Sequence, residues 1–158
     1  MFREITRFGQ ALPREECIRL LKEEKRGVLA VQGDDGYPYC LPINQYYDEE
    51  TGNIYFHSGK EGHKMDAIRK CDKASFCVYD KGFLKPGEWP LNIKSVIVFG
   101  RIRVVEDKER TAELARKLCY KFIDDEEYIE NQIDMLIDVT ALIELIPEHI
   151  TGKLVNES

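Results

Sequence analysis

The stretch Gly27-Val28-Leu29-Ala30-Val31-Gln32-Gly33-Asp34-Asp35-Gly36-Tyr37-Pro38-Tyr39-Cys40-Leu41-Pro42-Ile43-Asn44 decides the fold. Val28 to Gln32 reads as a strand, and Gly33-Asp34-Asp35-Gly36 is a turn of the type hairpins use. Tyr37 to Tyr47 then reads as a long extended segment. Pro38 and Pro42 fall inside it, and proline cannot donate to a sheet ladder. The segment therefore belongs at an edge, at a bulge or with its backbone facing a ligand.

Upstream, Pro13 opens a helix with Glu15 and Glu16 near its positive end. Cys17, Ile18, Leu20 and Leu21 form its apolar stripe, and Gly27 is expected to stop it. Downstream, a polar turn at Asp48 to Asn53 precedes a strand over Ile54 to Ser58. A short helix follows Ser58-Gly59-Lys60-Glu61-Gly62, burying Met65, Ile68 and Cys71. Lys73 to Asp80 alternates Ala74, Phe76 and Val78 against Ser75, Cys77 and Tyr79, the period of a half-buried strand. Lys81 to Asn92 predicts a loop and Ile93 to Glu106 a long strand. Asp107 caps a helix over Lys108 to Phe122, Asp124 to Leu136 adds another, and Val139 to Ile146 is the last strand, closed by Pro147. Short strands, hairpin turns and few crossover helices predict a mainly β antiparallel barrel with peripheral helices. No linker or repeat divides residues 1–158, so one domain is expected.

The composition is that of a globular chain, 43% hydrophobic and 33% charged. Lys and Arg number 23 against 29 Asp and Glu, a net charge of −6. That balance argues against a general nucleic-acid binder and leaves room for a local basic pocket. No segment has the apolar length of a membrane span, and Met1 to Gln10 has no signal-peptide core. Cys17, Cys40, Cys71, Cys77 and Cys119 are odd in number and contain no C-x-x-C pair. They are expected to be reduced, buried hydrophobes, which points to the cytoplasm and to no membrane partner.

Chemistry concentrates in His57-Ser58-Gly59-Lys60-Glu61-Gly62-His63-Lys64. A helix start preceded by flexible backbone suits a phosphate monoester. Lys64 would supply charge, Ser58 a hydroxyl and Gly62 a close backbone approach. The competing reading is a plain strand-to-helix loop with solvated lysines, because no G-x-x-x-x-G-K-[ST] pattern is present. His57 and His63 lack metal-ligand spacing, so no metal site is expected. No nucleophile signature identifies a catalytic residue.

Three segments in this order and spacing carry a resemblance: Gly27 to Val31, Gly36 to Asn44, and Ile54 to Ser58 with Glu61-Gly62-His63-Lys64. Together they resemble the flavin-binding split-barrel superfamily of pyridoxamine 5′-phosphate oxidases, and more narrowly its nitroimidazole-resistance branch. Lys94 to Gly100 and His149 to Lys153 are similar to that branch as well. The resemblance implies a six-stranded antiparallel split barrel, a homodimer, and FMN at the subunit interface. It places Leu41, Pro42, Ile43 and Asn44 along the isoalloxazine ring. It sets His57 and Ser58 towards the ribityl phosphate, and His63 and Lys64 beyond Gly62 where the oxidases carry an Arg-Lys pair. Lys94 and Ser95 would reach the flavin from the other subunit.

Two departures stand out. His63 replaces a permanent cation with one only partly charged at neutral pH, which implies weaker or pH-dependent FMN binding. The chain also ends Gly152-Lys153-Leu154-Val155-Asn156-Glu157-Ser158, without the Arg-x-His-type segment that holds pyridoxal in the oxidases, so that activity is not expected. The resemblance implies instead an FMN-dependent oxidoreductase passing electrons from a reduced nicotinamide to a small flat acceptor such as a nitroaromatic. The alternative is a non-catalytic flavin- or haem-binding module, with His57, His63 and His149 the available iron ligands. FMN is expected over FAD, since no G-x-G-x-x-G fingerprint is present. Trp89, with Phe83 and Leu84, reads either as a cover that sorts substrates or as a core anchor for its loop.

Overall fold

The computed structural model describes residues 1–158. The hairpin of residues 26–44 forms as β1 (Arg26–Gln32) against β2 (Pro38–Asn44), in register from Arg26↔Asn44 to Gln32↔Pro38. Its turn is a single 3-10 turn in which Asp35 and Gly36 take φ 55° and 78°. Both central positions are thus left-handed, the geometry that matches the twist of a hairpin. The extended segment breaks at Gln45, and Tyr46–Tyr47 forms a separate short strand, β3.

Four more long strands complete the sheet: β4 (Ile54–Gly59), β5 (Lys73–Tyr79), β7 (Leu91–Val105) and β8 (Thr140–Asn156). A two-residue strand, β6 (Phe83–Leu84), pairs with the start of β7 inside what reads as a plain loop. The order is β2-β1-β5-β7-β8-β4-β3 and every pairing is antiparallel. Six long strands and two short ones therefore make a split barrel whose opening lies between β2 and β4. The inward positions, among them Leu29, Val31, Phe56, Phe76, Val98 and Ile143, fill one core.

The helices cover this barrel. α1 (Arg14–Glu23) and α2 (His63–Lys70) bury Leu20, Leu21, Met65 and Ile68 in the same core. α3 (Lys108–Tyr120) lies on the outer face, where Leu114 packs with Tyr55 and Leu142. α4 (Glu126–Leu136) packs on α3 through Ala115, Ile129 and Ile133. Asp107 and Asp125 cap α3 and α4 by accepting from Arg110 N–H and Tyr128 N–H. Beneath α3 the buried Glu144 accepts from Tyr55 Oη at 2.5 Å and pairs with Arg103 at 2.7 Å and Arg110 at 3.2 Å.

Three sequence expectations need correction. Gly27 does not stop α1, which ends at Glu23; it lies within β1, where a Cβ would fall 2.4 Å from Phe76 Cζ and 2.5 Å from the Cys77 carbonyl oxygen. It is glycine because β1 packs that closely. Pro147 does not close the last strand: β8 continues to Asn156. Pro147 sits opposite Gly100, where the β7–β8 register shifts, and a bulge is a place where a strand tolerates proline. Of the five cysteines, all free, only Cys17 is buried, and Cys40 is exposed on the outer side of β2.

Candidate site at the barrel opening

Alternation along β2 turns Tyr39, Leu41 and Ile43 onto the core and leaves Cys40, Pro42 and Asn44 on the other face. Leu41 thus offers the opening only its backbone. The edge of β2 away from β1 has no strand partner, as the two prolines require. Across the opening stands His57 of β4. Pro42, Ile43, Asn44 and His57 line a cleft of about 340 Å³ together with Arg26, whose Nε donates to Asn44 Oδ1 at 2.8 Å. A groove of about 720 Å³ shares Arg26 and Pro42 with it and extends over β1 to Tyr79, Asp80 and Phe122.

Farther along the opening lies the start of α2. Gly62 precedes it with φ 117°, a conformation that favours glycine, and no side chain caps the helix. Its first N–H groups are free of a protein acceptor, unlike those of α3 and α4. Lys64 is half-buried, and burial pushes its amine below the ordinary lysine range. Burial and then the charge of Lys64 lower the His57 imidazole, so the two lie within electrostatic reach.

His63 is held elsewhere. Its ring packs at a 30° tilt against Tyr39 with centroids 4.2 Å apart, and its Nε2 lies 3.7 Å from Asp34 Oδ2 in the hairpin turn. Lys70 approaches the same carboxylate at 3.5 Å. Ser58 sits opposite Ala141 near the end of β4. Lys94 and Ser95 are not brought to the cleft within one chain. Lys94 Nζ is 2.8 Å from Glu16, whose carboxyl is pushed down to about 2 by hydrogen bonds from Arg19 and Lys94. Ser95 lies on the outer sheet face between Tyr79 and Lys153. Trp89 is 77% exposed, which removes the core-anchor reading. Arg26 and Tyr39 join the site without having been singled out from sequence. Their signal was register: Arg26 falls opposite Asn44 once the hairpin turn is fixed.

The family model for pyridoxamine 5′-phosphate oxidase matches residues 13–154. The chain belongs to that family. Solved structures agree on the fold. A candidate 5-nitroimidazole antibiotic resistance protein from Bacteroides thetaiotaomicron aligns with a TM-score of 0.79 at 16% identity, covering 91% of this chain and 86% of that one. A conserved hypothetical protein from Mycobacterium tuberculosis gives 0.80 at 14% identity over 95% and 90%. An FAD-binding protein from Mesorhizobium loti gives 0.65 at 22% identity over 93% and 98%. No curated protein matches the sequence. No helix of this oxidase-family barrel is long and apolar enough to cross a membrane.

Proposed function

We propose that this protein binds FMN along the free edge of β2 and acts as an FMN-dependent oxidoreductase. It would take electrons from a reduced nicotinamide to a small flat acceptor such as a nitroaromatic. The observation that carries the reading is the uncapped start of α2 beside the half-buried Lys64, at one end of an unpaired strand edge. The residues fit such a cofactor. From Tyr39 to Asn44 the edge runs about 17 Å, long enough for a ring, ribityl chain and phosphate laid end to end. The phosphate would accept from the first N–H groups of α2 and from Lys64. The ring would lie beside Pro42 to Asn44, with Arg26 and His57 at its rim. FMN supplies the redox chemistry when bound, while the protein positions it and excludes competing reactions. The FAD-binding proteins of similar fold from Mesorhizobium loti and Mycobacterium smegmatis support a flavin. The monophosphate is favoured by the single phosphate-type end of the opening.

A homodimer completes this reading. On the outer sheet face, Pro42, Val28, Cys77, Ile97 and Thr151 form one row across five strands, and Cys40, Ala30, Ser75, Phe99 and His149 form the next. Ile97 and Phe99 are 41% and 40% exposed, and the buried His149 Nε2 lacks a hydrogen-bond partner. A second copy related by a two-fold axis would cover this apolar face and carry its own Ser95 towards the flavin.

Mass spectrometry of the cofactor released from purified protein, followed by nicotinamide oxidation with and without a nitroaromatic, tests the proposal. FMN and acceptor-stimulated turnover are expected. FAD alone would overturn the choice of flavin, and bound FMN without turnover would leave a carrier.

A further inference from the structure

α4 contributes its buried side chains to a cluster built from α3 and α4 alone. Between α4 and the barrel lies a pocket of about 240 Å³, lined by Ile133 and Leu136 among its apolar residues and by Tyr128, Gln132, Thr140 and His57 as its polar ones. No Asp, Glu, Lys or Arg lines it. His57 also lines the cleft at the barrel opening, so one imidazole borders both spaces.

We infer that this pocket beneath α4 is a binding site for a small, flat, uncharged aromatic molecule. Four observations converge on that class. An apolar cavity of roughly 150 Å³ already holds a benzene ring, so this one has room for a substituted ring. Apolar walls with a few polar groups are the usual make-up of a small-molecule site, and those groups orient a ligand that carries a polar substituent. A charged ligand would find no counter-ion on the walls. Desolvation and then the charge of Lys64 lower the His57 imidazole from its ordinary value, which adds no positive charge to the lining. Identification of this occupant with the electron acceptor rests on the flavin reading above; the pocket itself does not.

Nitrobenzene is a suitable probe and benzoate its charged counterpart. Each is titrated into protein labelled at Ile and Leu methyl groups, with and without FMN. Nitrobenzene is expected to produce saturable shifts confined to the methyls of Ile133, Leu136 and Ile137, with benzoate binding at least about tenfold more weakly. Leu136→Arg places a cation on the wall at a position 44% exposed, where the fold tolerates it, and should weaken nitrobenzene about tenfold or more. Met135→Arg, on the same helix but outside the pocket, should leave nitrobenzene binding unchanged. Still methyls in both states, equal binding of benzoate, or an unaffected Leu136→Arg variant would each overturn the inference. If nitrobenzene binds as expected and FMN does not bind at all, the pocket stands and the flavin reading fails.

Discussion

Replacement of Lys64 by alanine separates the phosphate reading from a merely solvated loop. Lys64 is half-buried, and its amine is already pushed down by the loss of water around it. A phosphate at the uncapped start of α2 would return a counter-charge to a site where screening is weak. A charge-assisted hydrogen bond in such a place contributes about 1.5–3 kcal/mol. At about 1.4 kcal/mol per factor of ten, Lys64→Ala should raise the Kd for FMN about ten- to a hundredfold. Riboflavin carries the same ring and no phosphate, so its affinity should hardly change. The same variant has a second readout that needs no flavin. The charge of Lys64 helps to lower the His57 imidazole, so its removal should raise the His57 pKa while the effect of burial remains. Fluorescence titration with both flavins at low salt, and imidazole proton shifts against pH, give the two answers. Equal losses for FMN and riboflavin would refute the phosphate assignment. An unmoved His57 would refute the electrostatic contact.

His63→Ala should weaken FMN less than Lys64→Ala, because the imidazole is already engaged by Tyr39 and Asp34; parallel FMN titrations of the two variants decide this. Glu144→Gln should cost about 1–3 kcal/mol in urea unfolding at neutral pH. Burial would raise that carboxyl, but hydrogen bonds from Tyr55 and Arg103, with the charge of Arg103, hold it below its ordinary value. Its stabilisation is therefore present above the unfolded-state pKa and fades as pH falls through the folded one, so the gap between variant and parent should narrow in acid. Ile97→Lys, at an exposed position of the outer row, should leave the barrel folded, turn a dimer into a monomer in light scattering, and reduce FMN binding with it.

Much of the barrel was legible because its signals are local. The turn Gly33 to Gly36, the two prolines of β2 and the alternation of Ala74, Phe76 and Val78 each act within a few residues of themselves. The errors at Gly27 and Pro147 have a common cause. Each is a local breaker by its own chemistry, and each is accommodated by a residue remote in sequence: Phe76 against Gly27, and Gly100 opposite Pro147. A Cβ on Gly100 would lie 2.3 Å from the Ile146 carbonyl oxygen, so the bulge that admits the proline also demands that glycine. Neither partner can be chosen before the strand register is known.

The candidate site divides along the same line. The Pro42-Ile43-Asn44 edge is placed by the hairpin turn and its register, whereas His57 of β4, at the far end of the strand order, meets it only because the sheet curls into a barrel. Lys94 does not join them in one chain because Glu16, on a helix packed over that end of the barrel, takes its amine. His63 and Lys64 look like a pair in sequence, yet neighbouring residues on a helix point about 100° apart and do not face one target. Tyr39 and Asp34, both from the hairpin, take the imidazole. Lys64 instead lies near enough to His57 for its charge to be felt. On the flavin reading, one half-buried cation and the helix N–H groups would do the work of the Arg-Lys pair that the family resemblance implies. His63, packed on Tyr39, ties the start of α2 to the hairpin instead of facing the same target as Lys64.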